Sequence, residues 1–161
     1  MNAAALDKLQ EWSEKGHRTV QADTLVMLAA EYPEMVALSA DLTPTARLVE
    51  FKDTYPDRFF DVGIAEQNLI DFSAGLALEG LRPFAVGLAA MVPMRPAEQV
   101  RAALGYMNAN VTVIGIEAGV RFGPLGNTHY AMDDIAVVRA IPNFTVIAPS
   151  DPLSTHKALY A

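Results

Sequence analysis

The residue whose type and setting point most directly to chemistry is Glu66. In Asp61-Val62-Gly63-Ile64-Ala65-Glu66-Gln67-Asn68 an apolar strand runs into a glycine, and the carboxylate falls in the first turn of a following helix. A carboxylate placed there either offsets the positive helix terminus or handles a proton, and the string by itself leaves both readings open. Other chemistry-bearing groups are sparse. The 161 residues include no Cys, which removes thiolate nucleophiles, thiolate metal sites and disulfide frameworks. The three histidines, His17, His129 and His156, are too scattered to suggest zinc. His129 reads either as a capped loop residue or as a proton carrier. Arg47, after Asp41-Leu42-Thr43-Pro44, is either a solvated helix cation or a planar fork suited to phosphate, and Arg95 and Arg121 are weaker candidates of the same kind. None of G-x-G-x-x-G, G-x-x-x-x-G-K-[ST], G-x-S-x-G or H-E-x-x-H occurs.

Twelve Lys and Arg against nineteen Asp and Glu give a net charge of -7, which argues against nucleic acid and anionic membrane surfaces as partners. No continuous apolar run opens the chain, so no secretory signal is read and a cytoplasmic location is expected. The most apolar stretch, 83–94, is too short for a membrane helix and is interrupted by Gly87 and Pro93. Hydrophobic residues make up 52% of the chain, high for a small acidic domain, so part of the surface is expected to be covered by another subunit.

The elements that must position these groups follow from periodicity. Helical spacing is read over 3–15, 20–32, 47–55, 65–81, 97–106, 132–140 and 152–160, with Gly16 and Pro33 as stops. Apolar runs of strand length fall at 36–40, 59–62, 84–88, 111–116 and 144–147. Strands alternating with helices predict an α/β fold, a mostly parallel sheet covered by helices on both faces, in a single domain spanning 1–161. Such sheets place ligands at the carboxyl ends of their strands, here after Ala40, Val62, Leu88 and Glu117.

The string Phe59-Phe60-Asp61-Val62-Gly63-Ile64-Ala65-Glu66-Gln67-Asn68 resembles the signature of the pyrimidine-binding domain in transketolases and related thiamine-diphosphate enzymes. Further matches follow in family order: Ser39-Ala40-Asp41-Leu42-Thr43, Ala74-Gly75-Leu76-Ala77, Pro83-Phe84, Glu98-Gln99-Val100-Arg101, Gly126-Asn127-Thr128-His129, and Asp134 through Asn143. The resemblance covers roughly residues 36–152. It implies that Glu66 hydrogen-bonds the pyrimidine N1' of the cofactor, sharing the proton that activates the thiazolium carbon, in an apolar surround expected from Leu69 and Phe84. It implies a cofactor contact at Asp41, a substrate-channel role for His129 and a sugar-phosphate role for Arg47.

Departures from the family pattern shape the remaining expectations. Leu88 and Met91 stand where family members stack aromatic rings on the aminopyrimidine, so apolar contact and a polarizable sulfur replace a ring face. Glu117 stands where a substrate-contacting His is usual, and Leu125 where an Asp meets sugar hydroxyls, which implies a substrate outside the usual pentose-phosphate set. No G-D-G motif occurs, so the diphosphate-binding domain with its Mg²⁺ site is expected on a partner large subunit, in a homo- or hetero-oligomer, and a C-terminal domain is read as absent from this chain. The activity implied is transfer of a two-carbon ketol unit between sugar phosphates. A 2-oxoacid dehydrogenase subunit, a deoxyxylulose-phosphate synthase-like enzyme and a non-catalytic paralogue stand as alternatives.

Overall fold

The computed structural model describes residues 10–161, and its centre is a four-stranded, wholly parallel sheet in the order β2-β1-β3-β4. The strands are β1 (Met35–Ser39), β2 (Phe59–Asp61), β3 (Arg82–Leu88) and β4 (Thr112–Ile116). Around them run α1, described over residues 10–15, then α2 (His17–Glu31), α3 (Val49–Thr54), α4 (Glu66–Leu78), α5 (Ala97–Gln99), α6 (Asp134–Arg139) and α7 (Pro152–Tyr160). A π-helical stretch, Val100–Tyr106, continues α5. Residues 3–9 of the opening helix expected from the sequence lie outside the described residues.

Side chains alternate across β1, so one strand feeds two cores. Met35 and Ala37 pack with Leu25 and Leu28 of α2 and Phe51 of α3, with Leu159 and Tyr160 of α7 laid against them. Val36 and Leu38 face the other way, onto Leu69 and Ile70 of α4 and Val100, Ala103 and Leu104 of the π-helical stretch. Helices therefore cover both faces, as the α/β reading expects, and β1 is buried along its whole length.

Two contacts fix the layers. Gly87 and Gly115 lie opposite each other in the β3–β4 register. A Cβ on Gly87 would stand 2.9 Å from Val92 Cβ, and one on Gly115 would stand 3.1 Å from Ala89 Cα. The chain leaving β3 can fold back over the sheet edge only because both side chains are missing. On the other side of the molecule, α7 is fastened to α2 by paired polar contacts: His17 Nδ1 with Thr155 Oγ1 at 2.9 Å, and Thr24 Oγ1 with His156 Nδ1 at 3.0 Å. The Trp12 ring lies 4.4 Å from His156. Two of the three histidines thus hold helices together.

One strand expectation fails. Residues 144–149 form no ladder, and β4 ends the sheet. An apolar run becomes a strand only when a neighbour supplies its hydrogen bonds, and here Ile141 and Phe144 pack instead on the core beneath α4 and the π-helical stretch. Asn143 Nδ2 donates to the Gly105 carbonyl at 2.9 Å and pins the segment there. Among the described residues no helix is long and apolar enough to cross a membrane.

Candidate active site

All four strands end on one edge, and the residues that follow them supply the chemistry. After β2 the chain turns at Gly63, whose φ of +72° lies in the left-handed region that favours glycine. Ala65 N–H donates to the Gly63 carbonyl at 2.7 Å, and Glu66 opens α4 with no capping side chain before it. Glu66 is only 6% exposed, so its carboxylate needs a partner. Arg95 provides one: its Nη1 donates to Glu66 Oε1 at 2.7 Å. Gln67 Nε2 donates in turn to the Arg95 carbonyl at 3.2 Å, and Arg95 N–H to the Met91 carbonyl at 2.9 Å. The turns after β3 are thereby clasped to the first turn of α4. Glu66 Oε2 makes no hydrogen bond among the described residues.

This arrangement corrects three expectations. Arg95, considered for phosphate, is the counterion of Glu66. Phe84 packs with the α2 side of the sheet and Leu69 is fully buried against β1, so the carboxylate meets a guanidinium where an apolar surround was expected. Leu88 also packs toward α2, whereas Met91 is buried within the turns that carry Arg95.

Asp61, to which the motif assigns no role, organises the ends of β1 and β2. Its Oδ1 accepts from the N–H groups of Asp41 at 2.9 Å and Gly63 at 3.0 Å, and its Oδ2 from Thr43 Oγ1 at 2.7 Å. Partial desolvation pushes its carboxyl up, but the hydrogen bonds from Thr43, Asp41 and Gly63, with the charge of Lys52, outweigh that and hold it below its usual range. Asp41 itself is held at φ +59° by this contact, exposed at the end of β1. The available signal is an Asp at a strand's last residue with a Gly two positions on, the local pattern by which a carboxylate caps a turn.

At the end of β4, Glu117 has a side chain 4% exposed and a φ of +59°. A left-handed glutamate costs about 1–2 kcal/mol, so its surroundings must hold it there. They do: Glu117 Oε1 pairs with Arg18 Nε at 2.8 Å and Oε2 with Arg121 Nε at 3.4 Å, while Arg18 Nη1 donates to the Thr45 carbonyl at 3.0 Å. Expected as an acceptor for substrate, Glu117 is committed through both oxygens to guanidinium groups. An antiparallel bridge between Gly119 and Ala131 closes the loop that follows. His129 sits in that loop, half-buried, with Nδ1 3.0 Å from Thr128 Oγ1 and its ring edge-on to Phe122 at 6.3 Å.

Arg47 lies elsewhere. It is held at φ +57° and lines a cleft of about 550 Å³ between α2 and α3 together with Asp23, Glu50 and Asp53. Three carboxylates lining the same cleft disfavour the phosphate expected there. The structure thus groups Glu66 with Arg95 and Met91, Asp41 with Asp61, and Glu117 with Arg18, Arg121 and the His129 loop.

A single parallel sheet with helices on both faces and a buried glutamate opening the helix after β2 defines an α/β domain whose charged groups gather at the carboxyl edge of the sheet. The family described as the transketolase pyrimidine binding domain matches residues 14–161, and the chain belongs to that family. It is 38% identical over 145 residues to a putative transketolase C-terminal section of Methanocaldococcus jannaschii, covering 90% of this chain and 46% of that protein. It is 38% identical over 135 residues to an apulose-4-phosphate transketolase subunit of Phocaeicola vulgatus, covering 84% of this chain and 43% of that one. Among solved structures, a split gene transketolase described as an inactive beta4 tetramer superposes with a TM-score of 0.80 at 35% identity, covering 90% of this chain and 46% of that chain. The chain spans less than half the length of these relatives.

Proposed function

We propose that this chain provides the pyrimidine-binding half of a thiamine-diphosphate site in a split, transketolase-like transferase that moves a two-carbon ketol unit from a ketose phosphate to an aldose acceptor. The observation that carries this reading is Glu66, buried at a strand-glycine-helix turn with Oε1 held by Arg95 and Oε2 left for another partner. The donor set fits the group: a carboxylate oxygen without a hydrogen bond, on a side chain only 8% exposed, suits a ring nitrogen that shares a proton, and Met91 places a polarizable sulfur in the adjoining turns. When bound, thiamine diphosphate supplies a carbon nucleophile that the twenty side chains lack.

In this reading Glu66 Oε2 holds the shared proton at N1', and Arg95 fixes the carboxylate plane. Asp61 keeps the turns after β1 and β2 in register, and His129 moves a proton at the substrate hydroxyl. Among the described residues no group of three His, Asp or Glu could hold a metal ion. The diphosphate and its Mg²⁺ are assigned to a large subunit. Relatives described as a transketolase C-terminal section and as a transketolase subunit support that division.

The test is to purify the chain with and without a large-subunit partner and to measure bound thiamine diphosphate in each. Cofactor retained only in the complex, with Glu66→Ala lowering kcat about 10²-fold or more, is the expected result. A stable complex that binds no cofactor, or a Glu66→Ala complex turning over near wild type, would overturn the reading.

A further inference from the structure

Gly75 lies inside α4, on its exposed side, and the chain itself gives no reason for a glycine there. A Cβ built on it meets no atom within 4 Å, and its φ is not in the left-handed region. A glycine inside a helix is destabilising against alanine, because it has more backbone freedom to lose. What the missing side chain allows is the close approach of another backbone, and none of the described residues supplies one.

The residues around Gly75 make the same face apolar. Leu78 is 61% exposed, and Phe72, 37% exposed, holds its ring edge-on to Phe60 of β2 at 5.2 Å. Asp71, Phe72, Gly75, Leu78 and Glu79 recur at helical spacing on one side, opposite the buried Leu69, Ile70, Ser73 and Ala74. A helix that covers a sheet turns one apolar face inward, whereas α4 carries a second one outward.

Charge narrows what can sit on this face. Asp71 and Glu79 border it, neither makes an ion pair among the described residues, and α4 contains no basic residue. Glu79 is the C-cap, at the negative end of the helix dipole, where a carboxylate is unfavourable unless a cation answers it. A second copy would not answer it. Two α4 helices packed antiparallel about Gly75 set Asp71 of each against Glu79 of the other, and each copy brings a net charge of -7.

We propose that the outward face of α4, centred on Gly75, seats an amphipathic helix of the large subunit, with an apolar ridge over Phe72, Gly75 and Leu78 and Lys or Arg opposite Asp71 and Glu79. The assignment rests on the two-subunit reading of the cofactor site and names where on this chain the subunits meet. One helix then carries Glu66 in its first turn and the partner on its last turns.

The chain has no Cys, so single cysteines report on this face without background. The rate of Asp71→Cys with a small thiol reagent is measured in the full chain, alone and in complex with the large subunit. A slowing of at least tenfold in the complex is expected, with Asp53→Cys, on α3 at the other face of the sheet, keeping its rate. Gly75 supplies the second readout. Gly75→Ala should raise the Tm of the isolated chain, since its methyl enters open space and restricts the unfolded chain, yet weaken association several-fold. Gly75→Leu should weaken association at least tenfold. A damaged fold would lower Tm and affinity together, so the opposite signs mark a surface kept for another body. Asp71→Lys with Glu79→Lys should weaken association several-fold and flatten its salt dependence. Unchanged affinity in Gly75→Leu, or equal protection of residues 53 and 71, would overturn the proposal. Self-association of the wild-type chain that Gly75→Leu abolishes would overturn it in favour of a second copy. A complex that binds cofactor while residue 71 stays reactive removes this interface and leaves the cofactor reading standing; one that protects residue 71 without cofactor does the reverse.

Discussion

Arg95 and Glu66 make a pair in which one member is buried and the other reaches solvent, and that asymmetry decides what each substitution does. Removing Arg95 leaves a buried carboxylate without its donor, whereas Glu66→Gln leaves a neutral group the same site can tolerate. Because the guanidinium is about half exposed, its loss is screened, and we expect Arg95→Ala to cost about 1 kcal/mol in urea unfolding. Glu66→Gln should cost less. Gly63→Ala is the backbone counterpart: open space surrounds the added methyl, so only the positive φ opposes it, and a loss of about 1 kcal/mol is expected in the same assay.

Asp61 carries a pH dependence whose sign can be worked out. Its carboxyl is lower in the folded chain than in the unfolded one, so its contribution is full above the unfolded value of about 4 and is lost as pH falls through the folded value. Unfolding free energy measured at pH 7 and at pH 3 should therefore differ less in Asp61→Asn than in the wild type. An equal difference in the two proteins would remove Asp61 from this role.

At the scale of elements, the seam between the π-helical stretch and residues 141–144 brings a neighbouring side chain closer to a glycine than at any other described glycine. A Cβ on Gly105 would come within 2.5 Å of Ile141 Cγ2, and the branched side chain has little room to yield. Gly105→Ala should destabilise by about 1–3 kcal/mol, checked by chemical denaturation, and should shift NMR signals at Ile141 and Phe144 first. The same seam shows where sequence reading stops. Spacing places α2, α4, α7 and the four strands within a residue or a few of their observed limits, because each helix buries one apolar face that the period reports and the strands read as short apolar runs. Residues 144–147 carry an equally apolar run, yet only Phe144 packs on a core while Ile147 stays exposed, and nothing local distinguishes that outcome from a strand. Glu66 is legible from its turn. Its Arg95 partner, 29 positions away, and the Arg18 to Glu117 contact are tertiary, and no spacing rule reports them.

The capping box that opens α7 is a second element-scale test. Asp151 accepts from Ser154 N–H at 2.7 Å while Ser154 Oγ accepts from Asp151 N–H at 3.0 Å, with Pro152 at the first helical position. The hydrogen bond from Ser154 N–H is the main reason the Asp151 carboxyl lies below its usual range. Asp151→Ala should lower Tm by about 2–4 °C and fray the helix from its start, read as faster amide exchange at residues 153–156.

At the scale of the whole molecule, the strand order puts the two principal side-chain groups at opposite ends of the sheet. Glu66 follows β2 and Glu117 follows β4, with β1 and β3 between them. Three strand spacings separate the outer strands by about 14 Å. The groups share no residue: one is Glu66, Arg95 and Gln67, the other Arg18, Glu117 and Arg121. Energies of substitutions so far apart and without common partners add, so a double variant of Arg95 and Arg121 should lose the sum of the single losses within about 0.5 kcal/mol.

That separation bears on how such a domain diversifies. On the function proposed above, the end of β4 could be exchanged while Glu66 stays untouched at the far margin of the sheet. The two ends of the sheet can thus change one at a time, because among the described residues no side chain bridges the ion pairs at one margin to those at the other.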